Sequence, residues 1–159
     1  DNYVNLGNNS VFNITDQVTL SIWMKMDGYT DYDTFFWKTN SGILGDLGNY
    51  GLSMTNSQKG RFVIGSVYAI STLAFPINTW IHMVGTYDGN YLRLYKNSDI
   101  ATNPVANTEN IKISVQSLTL GIRKYNSTFG YPSNAIIRDV QIYNKALSPK
   151  EVRLLYTMR

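Results

Sequence analysis

The sequence contains no cysteine, a single histidine, His82, and only two glutamates, Glu109 and Glu151, among its 159 residues. Without cysteine there is no disulfide framework, no thiolate nucleophile and no cysteine-based zinc site. The single histidine excludes metal sites built from several imidazoles, and it excludes Ser-His-Asp chemistry that needs a spare imidazole. Many classes of enzyme are therefore excluded at the outset.

The sequence also has no large excess of charge of one sign and no long hydrophobic run. Fourteen lysines and arginines accompany eleven acidic residues, which gives a net charge of +3, and the cations are scattered singly along the chain. This distribution gives no support to nucleic-acid binding, and no run approaches the roughly 18 apolar residues of a membrane span. Because 43% of the residues are hydrophobic and 16% are charged, we expect one folded domain over residues 1–159, without membrane insertion.

Aromatic residues are abundant, with 12 Tyr, 6 Phe and 3 Trp, and many segments alternate between apolar and polar residues. Every second residue from Val18 to Met24 is apolar, which predicts a half-buried strand. Similar patterns predict further strands at Thr34–Lys38, Gly51–Met54, Gly60–Val67, Trp80–Tyr87, Tyr91–Lys96, Ile111–Val115, Ser117–Ile122 and Ala135–Tyr143. The predicted fold class is all-β, a sandwich of two antiparallel sheets.

Only the C-terminal segment has the signals of a helix. Ser148 is a suitable N-cap, Pro149 suits the first helical position, and Glu151 completes a capping box with Ser148. We expect this helix to end near Thr157 and to pack its apolar side on the sandwich.

Three segments resemble a known family. Residues Trp80 to Gly89 read Trp-Ile-His-Met-Val-Gly-Thr-Tyr-Asp-Gly, similar to the Trp-His-His-Val-Ala-Val-Thr-Tyr-Asp-Gly signature of laminin-G-like jelly-roll domains. Leu92 to Asn97 and Val140 to Ser148 resemble later strands of the same domains, which belong to the concanavalin A-like lectin/glucanase superfamily. The resemblance implies a jelly roll and an extracellular, cell-surface or virion-surface module of a longer protein.

The resemblance also bears on calcium. Arg138 stands where many relatives have an Asp that helps to hold a structural calcium ion, and arginine cannot ligate calcium. We therefore expect no cofactor at the usual site. Calcium bound by Asp27, Asp31 and Asp33 stays an alternative, although their spacing does not follow the EF-hand pattern.

Catalysis is not expected. Catalytic relatives resemble laminarinases, in which a Glu-x-Asp-x-x-Glu strand motif supplies the nucleophile and the general acid. This motif is absent, because Glu109 lies in a polar stretch and Glu151 belongs to the capping box. An unusual glycosidase that uses Asp31 and Asp33 is retained as a minor alternative.

Carbohydrate binding needs aromatic rings that stack on sugars and polar side chains that bind hydroxyl groups, both presented by loops. Two regions of the sequence combine these residue types. The candidate ligand-binding residues of the first region are Tyr29, Asp31, Asp33, Trp37, Asp46 and Asn49, and those of the second are Arg123, Tyr125 and Tyr131. Burial in the core is an alternative role for Trp37, and an ordinary solvated loop is an alternative for the second region.

These observations favour a carbohydrate-binding or adhesion module without catalytic activity. Its expected partners are glycans or a surface glycoprotein, together with other domains of the same polypeptide. The main alternative is a structural jelly roll that makes protein-protein contacts without binding glycans.

Overall fold

The computed structural model describes residues 3–30, 32–39, 49–125 and 128–158, without the side chains of Tyr125 and Thr128. Two large antiparallel sheets form a sandwich, which confirms the predicted fold class. Sheet A has the strand order β1-β11-β3-β4-β5-β6. Its strands are β1 (Val4–Asn5), β3 (Thr34–Lys38), β4 (Tyr50–Met54), β5 (Lys59–Ile64), β6 (Val67–Ala74) and β11 (Leu118–Leu120).

Sheet B has the strand order β10-β8-β7-β2-β14, with β9 paired to β8. Its strands are β2 (Val18–Met26), β7 (Ile81–Tyr87), β8 (Tyr91–Lys96), β9 (Asp99–Ile100), β10 (Val105–Ala106) and β14 (Ala135–Tyr143). A small separate hairpin pairs β12 (Arg123–Tyr125) with β13 (Thr128–Gly130). A short 3-10 helix spans Ser10–Phe12, and helix α1 spans Pro149–Thr157.

The core lies between the two sheets, where the apolar residues of each alternating strand meet. On β2 the residues Leu20, Ile22 and Met24 are fully buried in this core. Sheet A contributes Phe62, whose ring lies against Gly85 of β7 so closely that a Cβ at position 85 would stand 2.3 Å from a ring carbon. The lack of a side chain at Gly85 therefore makes room for this ring between the sheets.

Helix α1 covers part of the outer face of sheet B. Its capping box is present as predicted, since the Glu151 backbone N–H donates to Ser148 Oγ and the Ser148 backbone N–H donates to the Glu151 carboxylate. Val152 of α1 is fully buried against Val84 and Tyr95. The amphipathic helix thus closes one half of this face.

One predicted strand is absent, and another was predicted too long. The predicted strand Ile111–Val115 pairs with no described strand, because its backbone groups bond elsewhere: Ile111 N–H donates to the Thr15 carbonyl, and Lys38 Nζ donates to the Ser114 carbonyl. The predicted strand Gly60–Val67 is strand β5 as far as Ile64, after which the chain turns at Gly65, with φ +56°, and continues as β6. Glycine supplies this left-handed conformation without steric cost.

Candidate functional site

Aromatic rings and arginines form a continuous cluster beside the outer face of sheet A. The Arg123 guanidinium carbon lies 3.9 Å from the Trp37 ring centroid and 4.9 Å from that of Tyr131. The Tyr131 ring meets Tyr32 edge to face, with the centroids 5.5 Å apart, and Arg61 lies 5.4 Å from the Tyr32 centroid. We call these five residues the aromatic-arginine cluster.

The strands fix the two arginines and leave the two tyrosines accessible. Arg61 of β5 is 7% exposed and donates from Nε to Ser53 Oγ, whereas Arg123 of β12 is 4% exposed and donates from Nε to Thr34 Oγ1. Tyr32 and Tyr131 are only half-buried. The arginines therefore act as a fixed support, and the tyrosine rings are the part of the cluster that a ligand can reach.

Both tyrosines have left-handed backbones, with φ 63° at Tyr32 and φ 54° at Tyr131. This conformation is uncommon for a residue with a large side chain and costs about 1 kcal/mol or more, so the surrounding structure must hold it. Part of that support is a link between the two loops, because Thr30 Oγ1 donates to the Pro132 carbonyl over 3.2 Å. Strain of this kind accumulates at binding sites.

The two regions that the sequence analysis treated separately are thus one region in space. Asp33 provides the second link between them, since its carboxylate accepts hydrogen bonds from the backbone N–H of Thr30, from Thr30 Oγ1 and from the backbone N–H of Asn134. Asp33 is fully buried, so in this conformation its carboxylate organises the loops and does not face a ligand.

Three further predicted residues are buried or half-buried and make contacts inside the protein. Trp37 is fully buried, with Arg123 over its ring and Gly51 so close that an added Cβ would stand 2.3 Å from a ring carbon. Tyr29 is half-buried and donates from its hydroxyl to the Phe75 carbonyl; burial, followed by the charge of Asp33, raises the pKa of this phenol. Asn49 is 2% exposed, and its backbone N–H donates to the Lys38 carbonyl.

The remaining predicted residues lie outside the part that the structure describes. These are Asp31, Asp46 and the side chain of Tyr125.

Sequence reasoning missed the contribution of Arg61 and did not reveal the contact between Tyr32 and Tyr131. Arg61 directly precedes the core residue Phe62 on β5. Neighbouring residues of a strand point to opposite faces, so the sequence could have placed the Arg61 cation on the outer face of the sheet. Tyr32 lies between two Asp residues in the loop already singled out. Nothing local shows that its ring meets Tyr131, which is distant in sequence.

A family model described as the concanavalin A-like lectin/glucanases superfamily, of the laminin G type, matches residues 1–153. The chain belongs to this superfamily. No curated protein sequence matches the chain.

Solved structures share this superfamily fold at low sequence identity. Domain 4 of an extracellular GH43 arabinanase from Geobacillus stearothermophilus, solved in complex with arabinotriose, has a TM-score of 0.73 and 19% identity, over 98% of this chain and 72% of that chain. The binding domain of botulinum neurotoxin serotype G has a TM-score of 0.71 and 14% identity, over 98% of this chain and 40% of that chain. Trypanosoma rangeli sialidase has a TM-score of 0.68 and 18% identity, over 89% of this chain and 22% of that chain.

Both glutamates of the chain have hydrogen-bonding partners in the described residues. Glu151 accepts hydrogen bonds from Lys145, from the Ser148 backbone and from the Ser148 hydroxyl, and these bonds lower its pKa to about 2. Glu109 has its backbone carbonyl bonded to the hydroxyl of Tyr87 on sheet B. Neither glutamate belongs to the aromatic-arginine cluster.

Metal-ligating groups are dispersed in the described residues. There, no three His, Asp or Glu side chains lie close enough together to hold a metal ion. Arg138 faces outward from β14, and its guanidinium carbon lies 4.0 Å from the Trp80 ring centroid. Arginine at this position does not suit a calcium site, because the guanidinium is positively charged and has no oxygen atom to ligate the ion.

His82 has a structural environment. It is 1% exposed, its Nε2 lies 2.8 Å from Ser21 Oγ, and its ring centroid lies 5.1 Å from that of Trp23 and 6.0 Å from that of Tyr156. No helix formed by the described residues has the length and apolarity needed to cross a membrane.

Proposed function

We propose that this domain binds carbohydrate without catalysis and that the sugar contacts the tyrosines of the aromatic-arginine cluster. The observation that carries this proposal is the pair of half-buried tyrosines, Tyr32 and Tyr131, held in left-handed backbone conformations next to two buried arginines. Tyrosine offers a rigid apolar face for a sugar ring and a hydroxyl group for its polar edge.

The arginines suit a sugar-binding surface because they keep the tyrosine rings in position. Fixed rings lower the entropic cost of binding, since few side chains need to be ordered. Each arginine is held in turn by the bond from its Nε to Ser53 or Thr34.

The solved structures support this proposal at the level of fold. The arabinanase domain with the same fold is described in complex with arabinotriose. We infer that the present domain is a module of an extracellular, cell-surface or virion protein and that it brings its parent chain to a glycan or a surface glycoprotein.

Titration of a glycan panel tests the proposal, with arabino-oligosaccharides included. The informative variant is Tyr131→Asn, because asparagine tolerates a left-handed backbone and removes only the ring. Loss of the stacking contact is expected to weaken affinity at least fivefold, which is about 1 kcal/mol. The matched control is Tyr91→Asn, which removes a 44% exposed tyrosine from sheet B.

Two results would contradict the proposal. Equal weakening by Tyr131→Asn and Tyr91→Asn would place the sugar elsewhere. Release of reducing sugar from any glycan of the panel, abolished by Asp33→Asn, would show a glycosidase instead of a binding module.

A second function, assembly through protein-protein contacts, has one observation in its favour. Leu73 is 76% exposed and Ile100 is 53% exposed, and both line a cleft of about 310 Å³ between β6 and β9. Exposed apolar residues of this kind occur at protein interfaces. Association that depends on protein concentration, with no response to glycans, would favour this function.

A further inference from the structure

Helix α1 covers part of the outer face of sheet B, and Ile136 and Arg138 of β14 on that face are exposed. The boundary is the group of three rings formed by Trp23, His82 and Tyr156, in which the Trp23 and Tyr156 centroids are 5.6 Å apart. Beyond it, the strands β14, β2 and β7 and the residues that adjoin them carry the open patch. We define the open patch as Arg138, Trp23, Ile136, Lys25, Trp80, Asn134, Asp27 and Asn78.

Cations and indole rings alternate across the open patch. Arg138 lies 4.0 Å from the Trp80 centroid and 5.7 Å from the Trp23 centroid, and Lys25 Nζ lies 6.0 Å from the Trp80 centroid. The two indoles restrict the Arg138 guanidinium, yet its side chain remains 51% exposed. Its charged neighbour is Asp139, at 3.7 Å from Nε. The guanidinium is therefore positioned and still accessible to an anion.

A polar cleft adjoins these cations. The cleft has a volume of about 570 Å³. Lys25 and Ile136, which are paired across β2 and β14, line the cleft where it meets the rest of the open patch. Its other lining residues are mostly small and polar, namely Asp27, Thr30, Asn78, Pro132, Ser133, Asn134 and Ala135. Amide, hydroxyl and carboxylate groups of this kind bind sugar hydroxyl groups, and the volume is that of a small-ligand site.

We propose that the open patch is a second binding site, for a saccharide that carries a carboxylate or sulfate group. The acidic group pairs with Arg138 and Lys25, because an exposed guanidinium next to an ammonium favours an oxyanion. The sugar rings occupy the cleft beside Trp80. The cations of this site lie on sheet B, whereas the aromatic-arginine cluster lies beside sheet A. The cleft shares Thr30 and Pro132 with the loops of the cluster, but the pairing of an acidic group with Arg138 and Lys25 does not depend on the function proposed for that cluster.

The polar cleft is the reason to assign a saccharide and not an acidic peptide. A peptide that binds through charge alone would need only the cations. The cleft adds two asparagine residues, Asn78 and Asn134, to the same site. These groups match the hydroxyl groups of a sugar. The indole edges add apolar surface that a sugar ring can cover.

The test follows the indole N–H signals of the intact domain by NMR, since the chain has only 3 Trp. The probes are trigalacturonate, sialyllactose and a heparin tetrasaccharide, each compared with a neutral counterpart: methyl-esterified trigalacturonate, lactose and a desulfated, carboxyl-reduced tetrasaccharide. We expect at least one acidic probe to shift the Trp80 signal and not that of Trp37, which lies in the aromatic-arginine cluster. The shift should diminish with added salt.

Charge-removing variants give the quantitative comparison. Arg138→Gln and Lys25→Gln should each weaken the acidic probe about tenfold, since each removes a charge-assisted contact. Lys112→Gln removes one charge from an exposed residue outside the open patch and should stay within about twofold of the parent protein.

Four results would overturn the proposal. The first is that no acidic probe shifts Trp80, and the second is an equal response to the neutral counterparts. The third is retention of full affinity in both Arg138→Gln and Lys25→Gln with the fold unchanged. The fourth is equally tight binding of hexaglutamate at Trp80, which would assign the open patch to acidic peptides.

Discussion

Replacing Gly85 by alanine tests how the two sheets are packed. The new Cβ would stand 2.3, 2.4 and 2.8 Å from three ring carbons of Phe62, whereas carbon atoms in contact prefer about 3.5 to 4.0 Å. The ring must therefore move by about 1 Å. Phe62 is fully buried, so this movement disturbs the residues that surround it.

The expected cost follows from this clash. Adding a methyl group to a well-packed core costs about 1 to 3 kcal/mol, and contacts this short favour the upper part of that range. For a domain of this size, about 3 kcal/mol corresponds to a loss of roughly 6 to 12 °C in the melting temperature. Gly28→Ala is the control, because its Cβ would meet only the exposed side-chain amide of Asn134, at 3.3 Å, and should change stability by less than about 0.5 kcal/mol.

The assay is a double-mutant cycle measured by denaturant unfolding. Phe62→Leu alone should destabilise the domain by about 1 to 2 kcal/mol, because it leaves a cavity. Combined with Gly85→Ala, it should cost at least about 1 kcal/mol less than the sum of the two single changes, since the smaller side chain removes the clash. Strictly additive costs, or a Gly85→Ala variant as stable as Gly28→Ala, would refute this packing of the sheets.

Three further predictions concern helix α1 and the titration of charged and phenolic groups. Ser148→Ala removes the N-cap and should lower the unfolding free energy by about 1 kcal/mol in thermal denaturation, whereas Ser148→Asp should preserve most of the stability. Burial raises the pKa of the Tyr50 phenol. Stability should therefore fall as the pH rises above about 10, because the phenol then ionises in the unfolded chain and not in the folded one. Tyr50→Phe should reduce that fall. Burial opposes ionisation of Asp88, but hydrogen bonds from Arg93 and from two backbone N–H groups outweigh this effect and lower the pKa of its carboxyl group. The stability of the domain should therefore be lost as the pH falls below about 4. The loss should be less steep in Asp88→Asn.

The sandwich could be predicted from the sequence because alternation is a local property. β3, β8, β14 and α1 have the predicted limits, whereas β7 begins one residue later than predicted and β2 extends beyond its predicted end to Met26. The prediction was wrong where an alternating segment pairs with no strand. Ser114 has its carbonyl bonded to the buried Lys38 side chain, a long-range contact that no local pattern reveals.

The candidate site was predictable in composition but not in arrangement. The residue types pointed to two loops, and the structure brings these loops together through Asp33 and through the contact between Tyr32 and Tyr131. Alternation alone left the role of Trp37 open, and its full burial under Arg123 depends on residues distant in sequence. The left-handed backbone of Tyr131, with φ 54°, likewise has no signal in the residue type, since a bulky residue rarely adopts it.

Sugar binding at the aromatic-arginine cluster is tested most directly by titration calorimetry. One glycan is titrated into the parent domain, into Tyr131→Asn and into Tyr91→Asn. The glycan is whichever member of a neutral panel binds the parent domain most tightly. Tyr131→Asn should weaken binding at least about fivefold, whereas Tyr91→Asn should have no effect. A panel in which no glycan binds, or binding that persists unchanged in Tyr131→Asn, would contradict sugar binding at this cluster.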